Sequence, residues 1–292
     1  MEKVHKFFLH PFNSNAMKKI LLPVILFAAS VVSAQKMSCC SGPSNDMRTL
    51  ADDPAFIAAH AAPLPFVYLN QAGKMITFDT PDGKTGSAYE VLSSTPTKNF
   101  LIITHEYWGL NDYIKEKADE FQKIFGNINV IAVDMYDGQV ASTSDSAVKL
   151  MKSAGNDRIL SILKGAINYA GKDAHIFTLG WCFGGGYSLQ ASILAGKQAA
   201  GCVMYYGMPE TDMAKLKSLH CEVLGLFATK DKWINPDVVK TFQDNMKKAG
   251  KKLTVKSYDA DHAFANPSNP HYDGESTADA NKMALEFIND KL

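Results

Sequence analysis

Residues 180–186 read Gly-Trp-Cys-Phe-Gly-Gly-Gly and stand between an apolar run at residues 175–179 and a helical pattern at residues 185–195. The pattern Gly-x-nucleophile-x-Gly is typical of a sharp, strained turn from a strand into a helix, here with Cys182 in place of serine. Side chains at the flanking glycines would clash with the neighbouring strand and helix. The turn is expected to place Cys182 at the carboxyl edge of a sheet, where the start of the next helix favours a thiolate.

This turn predicts a catalytic cysteine with an oxyanion donor beside it. We expect the backbone N–H of Phe183 to face a developing oxyanion. The alternative is a glycine-rich phosphate loop. That alternative has less support, because the stretch lacks Gly-Lys-[Ser/Thr] and does not have the Gly-x-Gly-x-x-Gly spacing. The sequence therefore favours a nucleophile at Cys182.

Apolar runs and amphipathic stretches alternate on both sides of this turn. A turn-rich sequence at residues 81–84 between two short runs predicts a β-hairpin. Further strands are predicted at residues 100–104, 130–133, 175–179, 202–206, 223–228 and 253–258. Helices are predicted at residues 112–125, 144–170 (with a break near Gly155), 185–195, 236–249 and 277–288. The alternation predicts an α/β domain at residues 65–292, with a mostly parallel central sheet and helices on both faces.

Two residues that follow later strands complete a candidate catalytic set. Asp231 follows the strand that ends at Ala228, and His262 follows the last strand. In proteins with this turn the acid follows the nucleophile along the chain, and the histidine follows the acid. His262 would take the thiol proton as general base, and Asp231 would fix its tautomer. Asp259 and Asp261 stay open as alternative partners of the histidine, and Asp231 is also a candidate helix cap.

The loop at residues 104–112, after the first central strand, contains the second candidate oxyanion donor. Its sequence is Thr-His-Glu-Tyr-Trp-Gly-Leu-Asn-Asp, and we expect the backbone N–H of Tyr107 to be that donor. Glu106 is an acid at a strand end that is expected to point toward Cys182. A structural carboxylate in a cap or an ion pair is the alternative for Glu106, and spacing alone does not decide between the two.

Composition excludes several classes of protein. The 292 residues contain 30 Lys plus Arg and 30 Asp plus Glu, so the formal net charge is zero. This balance argues against a nucleic-acid-binding protein, which needs a basic surface. The chain has 46% hydrophobic residues, as globular domains have. Its five Cys are too few for a disulfide scaffold, and Cys202 and Cys221 are expected to be small core residues.

The first 64 residues have a different pattern. Basic residues at 17–19, an apolar run at 20–32 and small residues before position 35 are typical of a secretory signal. We expect a signal peptide region at residues 1–34 with Met17 as the start, a linker at residues 35–64 that contains a short helix near residues 55–61, and export to the periplasm or the medium. A buried N-terminal helix is the alternative. Cys39 and Cys40 lack ligand partners at metal spacing, which favours an unstructured tail over a metal or redox role.

Together these motifs resemble the dienelactone hydrolase family of α/β-hydrolases. The resemblance runs from about residue 75 to the C-terminus and rests on four segments, residues 105–111, 180–185, 230–231 and 261–264. It implies the α/β-hydrolase fold and a triad of Cys182, His262 and Asp231. It also implies a role for Glu106 that spacing does not show. In the family this carboxylate holds the resting nucleophile as a thiol, which protects the sulfur from oxidation, and its displacement by substrate helps to form the thiolate.

The sequence departs from the type enzyme of that family in the substrate pocket. There, two arginines bind the substrate carboxylate. Residues 137–139, Asp-Gly-Gln, and Asn266 occupy the corresponding positions here. Because a bidentate carboxylate clamp needs a guanidinium group, an anionic dienelactone is not the expected substrate. Tyr136, Trp108 and Phe264 are instead expected to line an aromatic pocket for a more neutral molecule.

The combined expectation is an exported hydrolase that cleaves ester or lactone bonds of a small substrate through an acyl-enzyme. No metal, cofactor, nucleic-acid partner or stable membrane anchor after processing is expected, and the expected oligomeric state is a monomer. Two alternatives stay open. One is an acyltransferase or thioester-processing enzyme with the same three residues. The other is a non-catalytic exported binding protein on the same scaffold.

Overall fold

An eight-stranded sheet forms the centre of the computed structural model, which describes residues 47–292. The strands are β1 (Lys74–Asp79), β2 (Thr85–Val91), β3 (Asn99–Thr104), β4 (Asn129–Val133), β5 (His175–Trp181), β6 (Ala199–Tyr205), β7 (Val223–Ala228) and β8 (Leu253–Tyr258). Their spatial order is β1-β2-β4-β3-β5-β6-β7-β8. β2 pairs antiparallel with both β1 and β4, and the remaining pairs are parallel. The predicted hairpin and the mostly parallel sheet are confirmed.

The central strands are buried because their sequences are almost continuously apolar. Every residue of β4 and of β7 is buried, which is typical of parallel strands that are covered on both faces. The edge strand β8 instead alternates between partly buried and exposed residues along much of its length. Cys202 and Cys221 are both free, and Cys202 lies buried in this core, as expected.

Eight α-helices lie wholly within the described residues 47–292. They are α1 (Pro54–Ala58), α2 (Asp112–Phe125), α3 (Ser144–Ser153), α4 (Asn156–Ala170), α5 (Phe183–Ala195), α6 (Met213–Ser218), α7 (Pro236–Lys248) and α8 (Gly274–Asn289). The predicted break near Gly155 is confirmed, since this glycine lies between α3 and α4. The sequence patterns missed α6, because six residues are too few to show a helical period. Its one signal is Asp212, whose side chain accepts from the backbone N–H of Ala214.

Helices cover both faces of the sheet, as the side chains of β5 show. The hydroxyl of Thr178 donates to the carbonyl oxygen of Ser188 in α5 at 2.9 Å. The ring of Trp181 stacks on Phe121 of α2, with centroids 6.4 Å apart. Residues three apart in a strand point to opposite faces, so α5 and α2 lie on opposite sides of the sheet. The expected layer arrangement is confirmed.

The parallel strands bring distant loops to one edge of the sheet. β3, β5, β6, β7 and β8 run in the same direction, so the loops that follow them leave from the same edge. The loop after β3 contains Glu106, the turn after β5 contains Cys182, and the loops after β7 and β8 contain Asp231 and His262. Ligands of open α/β sheets bind at this carboxyl edge.

The short helix expected near residues 55–61 is present as α1, but the predicted linker around it is wrong for residues 47–60. This stretch contains α1 and belongs to the same structural unit as the sheet. Phe56 is fully buried, and His60 is only 4% exposed. The physical reason is local: Asp53 caps α1 by accepting from the N–H of Ala55 at 2.8 Å. Phe56 and His60, four residues apart, then lie on one face.

The predicted signal region at residues 1–34 and the pair Cys39 and Cys40 lie outside the described residues. Within residues 47–292, the helices are too short or too polar to cross a membrane.

Candidate active site

A strained turn holds Cys182 between β5 and α5. Its backbone angles are φ 53° and ψ −120°, a conformation that residues other than glycine rarely adopt. A Cβ atom at Gly180 would lie 2.2 Å from Oγ1 of Thr104, and one at Gly184 would lie 2.2 Å from the carbonyl oxygen of Thr104. The predicted need for glycine at these positions is therefore confirmed. The N–H of Cys182 donates to the carbonyl oxygen of Tyr205 at 3.0 Å, which ties the turn to β6.

The structure brings Cys182, His262 and Asp231 into one hydrogen-bonded chain. Nε2 of His262 lies 3.2 Å from Sγ of Cys182, and Nδ1 of His262 lies 2.5 Å from Oδ2 of Asp231. The three residues are between 1% and 4% exposed. A sulfur, an imidazole and a carboxylate arranged in this order form the geometry of a nucleophile, its base and the group that orients the base.

Asp231 occupies the place of the orienting acid. Its Oδ1 accepts from the backbone N–H groups of Trp233 and Ile234 at 2.8 and 2.9 Å, which leaves Oδ2 for the histidine. Asp259 and Asp261, the alternatives from the sequence, form other ion pairs. The carboxylate is thus fixed in position by the loop that follows β7.

Electrostatics within the three residues favour a basic imidazole next to a protonated thiol. Burial acts to lower the pKa of His262, but the charges of Asp231 and Cys182 raise that pKa well above its usual value. Burial raises the pKa of the Cys182 thiol, and His262 opposes this. Burial also acts to raise the pKa of Asp231, but His262 and the two N–H donors lower it. Asp231 is therefore ionised, and His262 is poised to accept the thiol proton.

Glu106, in the loop after β3, is close enough to Cys182 for its charge to act on the thiol. Its Oε2 accepts from Nδ2 of Asn266 at 2.6 Å. Burial raises the pKa of Glu106 to about 7, although His262 and Asn266 act to lower it. When ionised, Glu106 raises the pKa of the Cys182 thiol. The carboxylate therefore acts electrostatically on the Cys182 thiol, while its hydrogen bond goes to Asn266. Its expected orientation toward the sulfur stays a prediction.

The two expected oxyanion donors are backbone N–H groups. One is the N–H of Phe183, next to the sulfur, and the other is the N–H of Tyr107, in the loop after β3. The N–H of Phe183 contacts the Cys182 sulfur and lowers the pKa of the thiol. Tyr107 is fully buried, and its ring packs edge-on against His60 at 5.2 Å. The role of both N–H groups in binding an oxyanion stays a prediction.

His60, which the sequence placed in the linker, also lies beside the nucleophile. Its Nε2 is 3.9 Å from Sγ of Cys182, and its Nδ1 is 2.6 Å from the carbonyl oxygen of Phe56. Its ring centroid is 5.1 Å from that of His262. Burial and the neighbouring His262 lower the pKa of His60 to about 3, so the imidazole is neutral. The spacing of Phe56 and His60 after the cap Asp53 was the available sequence signal.

Residues 47–60, the N-terminal segment, pack over this cluster. Nε1 of Trp233 donates to Oδ2 of Asp53 at 2.8 Å. The ring of Phe56 packs edge-on against Trp233 at 5.1 Å, and Nδ2 of Asn269 donates to the carbonyl oxygen of Ala59 at 3.1 Å. Because Trp233 and Asn269 follow β7 and β8, these contacts join the segment to the same loops that hold the site.

A cavity of about 340 Å³ lies beside the cluster, between α2 and α8. Glu106 and Asn266 line its end next to the site, whereas Cys182 is not among the described lining residues. Its aromatic lining residues are Trp108, Tyr113, Phe121, Trp181, Tyr206 and Tyr272. The volume and lining suit a small, largely apolar molecule.

Of the three side chains expected to line the pocket, only Trp108 does so among the described residues. Tyr136 and Phe264 are not among the described residues that line this cavity, and their contact with the substrate stays a prediction. Tyr136 is 3% exposed and packs against Phe183 at 5.9 Å. Phe264 is fully buried against Tyr206 at 5.3 Å. Burial does not distinguish the residues that line the cavity, since Trp108 is as little exposed as Tyr136.

Comparison with known proteins places the chain in a family. The family model described as "Dienelactone hydrolase family" matches residues 87–292. Among curated proteins, "Protein usf" of Aquifex pyrophilus is 26% identical over 235 residues, covering 75% of this chain and 99% of that protein. A carboxymethylenebutenolidase of Pseudomonas sp. (strain P51) is 27% identical over 131 residues, covering 43% of this chain and 54% of the other.

Solved structures share the fold. The dienelactone hydrolase-like promiscuous phosphotriesterase P91, from metagenomic libraries, superposes with a TM-score of 0.64 at 18% identity, covering 75% of this chain and 99% of that one. The N-terminal segment lies before the first residue of the family match. The strand order, the turn at Cys182 and the extent of the family match lead to one conclusion: the chain belongs to the dienelactone hydrolase family and is a hydrolase with the α/β-hydrolase fold.

Proposed function

We propose that this hydrolase cleaves ester or lactone bonds of a small, uncharged substrate, with Cys182 as nucleophile, His262 as general base and Asp231 as the orienting acid. The observation that carries the proposal is the chain of two short contacts, 3.2 Å from sulfur to imidazole and 2.5 Å from imidazole to carboxylate. Both contacts connect buried groups, where hydrogen-bond geometry is fixed by packing.

The reaction follows from the position of each group. His262 takes the thiol proton through Nε2, and the thiolate of Cys182 attacks the carbonyl carbon. The N–H groups of Phe183 and Tyr107 stabilise the oxyanion, each by about 3 kcal/mol as in other acyl-transfer enzymes. The imidazolium then protonates the leaving alkoxide, which leaves a thioester on Cys182. Water activated by His262 hydrolyses this thioester and restores the thiol.

Glu106 is proposed to keep the resting sulfur protonated. Its charge raises the pKa of the Cys182 thiol, and a thiol is less prone to oxidation than a thiolate. Glu106 also lines the end of the cavity, hydrogen-bonded to Asn266. A substrate that enters from the cavity would therefore meet this carboxylate before the sulfur, and its displacement would lower the thiol pKa.

The proposed substrate is uncharged because the cavity lacks a carboxylate clamp. No arginine is among the described residues that line it, and Asn266 stands near the site instead. The one lysine of that lining, Lys117, is bonded to Glu120 at 2.6 Å. An amide such as Asn266 can hydrogen-bond a neutral carbonyl, but it does not neutralise a carboxylate.

The experiment that tests the proposal is the variant Cys182→Ala, assayed with short p-nitrophenyl esters. We expect kcat/KM to fall by at least about 10⁴-fold, as for other covalent nucleophiles. Thermal unfolding should stay close to that of the parent protein, because the substitution removes one atom from the side chain.

The matched control is Cys221→Ala, which removes a free thiol far along the chain from the turn. Its activity should equal that of the parent protein. Activity that persists in Cys182→Ala would remove this cysteine from the mechanism, whatever the control shows.

We also propose that the hydrolase is exported. The support is the pattern at residues 17–34, a basic start, an apolar run and small residues at its end. N-terminal sequencing of the protein from its native host should find a mature chain that begins near Gln35, in a fraction outside the cytoplasm. A mature chain that still contains residues 17–34 would contradict export by cleavage.

A further inference from the structure

Three ligand atoms that metals of the zinc class prefer converge at the nucleophile. They are Sγ of Cys182, Nε2 of His262 and Nε2 of His60, and all three atoms lie within 4.8 Å of one another. The sulfur is 3.2 Å from one nitrogen and 3.9 Å from the other. Bonds of about 2.3 Å to sulfur and about 2.0 Å to nitrogen at tetrahedral angles would put sulfur and nitrogen about 3.6 Å apart. The observed distances lie on either side of that value.

Both imidazoles are also oriented as metal ligands are. A histidine that binds a metal through one ring nitrogen usually donates its other N–H to a carboxylate or a backbone carbonyl. Nδ1 of His262 is bonded to Asp231, and Nδ1 of His60 is bonded to the carbonyl oxygen of Phe56. In the neutral form of each ring the hydrogen is therefore on Nδ1. Nε2 has the lone pair, and this atom is the one nearer to the sulfur. The bond from His60 to Phe56 plays no part in the proposed hydrolysis.

We propose that Cys182, His262 and His60 form a binding site for a divalent cation of the zinc class, and that occupation of this site inhibits the hydrolase. Thiolate and imidazole ligands favour such a cation over magnesium or calcium, which prefer oxygen. Three protein ligands leave one position for water. The bound form contains a thiolate, so binding releases one proton to the solvent.

The N-terminal segment supplies the third ligand. His60 lies outside residues 87–292, which match the family, so the site depends on a part of this chain that the family match does not include. Inhibition rests on the proposed function, because it requires Cys182 to be the nucleophile and His262 the base. Cation binding itself does not rest on it.

Cobalt(II) is the probe that tests the site in the full chain, because a cobalt–thiolate bond gives a charge-transfer band in the near ultraviolet. The protein should be prepared as Cys39→Ser/Cys40→Ser/Cys221→Ser, which leaves Cys182 and the buried Cys202. We expect the band to saturate at one cobalt per chain and zinc to displace it. Zinc should inhibit hydrolysis of p-nitrophenyl acetate, and EDTA should restore it.

His60→Asn tests the third ligand, and His175→Asn is its matched control on an exposed residue. The cobalt affinity and the zinc inhibition should weaken at least about 100-fold in His60→Asn, with no change in His175→Asn.

A missing band, or equal affinity in His60→Asn and the parent, would overturn the site. If the band is present but no ester is hydrolysed, the proposed function fails and the site stands. Hydrolysis without the band leaves the proposed function intact and overturns the site.

Discussion

The turn at Cys182 and the N-terminal segment meet at the same sulfur atom but are held in different ways. The turn is fixed by backbone: Cys182 is bonded to Tyr205 of β6, and Gly184 touches the carbonyl oxygen of Thr104 too closely to accept a side chain. The segment is held by side chains, among them the ring of Phe56. Because the backbone contacts of the turn belong to the sheet, we expect the turn to open only when the fold does, and we expect the segment to detach at a lower free-energy cost.

This difference means that the arrangement of the three hydrogen-bonded residues and the access to the Cys182 sulfur depend on different parts of the chain. The positions of Cys182, Asp231 and His262 follow from β5, β7 and β8, which lie within the part of the chain that matches the family. His60 belongs to the segment, which lies before the family match, and its Nε2 is 3.9 Å from the sulfur of Cys182. We therefore expect substitutions in the turn to act on stability and activity together. Substitutions in the segment should act chiefly on the reactivity of the sulfur.

The largest effect is expected for Gly184→Ala. The new Cβ would lie 2.2 Å from the carbonyl oxygen of Thr104 and 2.4 Å from that of His105. Backbone must move to relieve this, so the free energy of unfolding should fall by at least about 3 kcal/mol. Urea denaturation measures the loss. Gly155→Ala is the control, since its Cβ would meet nothing closer than 4.0 Å. Equal stability of the two variants would mean that the turn is less constrained than the contacts indicate.

A second, intermediate effect is expected for Phe56→Ala in the segment. Phe56 is fully buried against Trp233 and His60, and its loss should let the segment detach. We expect iodoacetamide to alkylate Cys182 at least about 10-fold faster, because the open form then becomes populated.

The control for this variant is Leu64→Ala, close to the segment in sequence but 73% exposed. It should leave the alkylation rate of Cys182 unchanged. An unchanged rate in Phe56→Ala as well would show that the segment does not restrict access to the sulfur.

The smallest effects are expected for Glu106→Gln, which alters charge without altering shape. Removal of the carboxylate should lower the pKa of the Cys182 thiol and raise its alkylation rate several-fold at neutral pH.

The stability of the parent protein should also respond to pH through Glu106. Burial raises the pKa of Glu106 to about 7 from its ordinary value of 4.5, so the folded protein loses stability as the pH rises between these values.

The Gln variant lacks this loss. Relative to the parent protein, it should gain roughly 3 kcal/mol between pH 4.5 and pH 8, as measured by denaturation at both values. Glu275→Gln, on an exposed residue, should show no such difference. An unchanged alkylation rate in Glu106→Gln would leave this carboxylate with a structural role only.

Most of the fold could be predicted because its signals are local. Continuous apolar runs mark β4 and β7, and the glycines around Cys182 mark the turn whose clashes the structure shows. The order of Cys182, Asp231 and His262 along the chain placed all three at one edge of the sheet. Parallel strands then brought them within hydrogen-bonding distance.

The parts that were missed depend on contacts across the chain. His60 is 122 residues from Cys182, and a short capped helix in a region rich in Ser, Ala and Asp does not show where it docks. Tyr136 and Phe264 do not line the cavity beside the cluster, because only packing across the chain decides which aromatic side chains border it. The partner of Glu106, Asn266, lies 160 residues away and was likewise not predicted as its hydrogen-bond donor.

The central claim is that the sulfur of Cys182 forms a covalent acyl intermediate, and mass spectrometry of the quenched reaction tests it most directly. The protein mixed with p-nitrophenyl acetate should gain the mass of one acetyl group within the first turnover. Peptide mapping should place that group on Cys182, and it should disappear as the ester is exhausted. Steady hydrolysis with no adduct on Cys182, or with the acetyl group on another residue, would contradict the account.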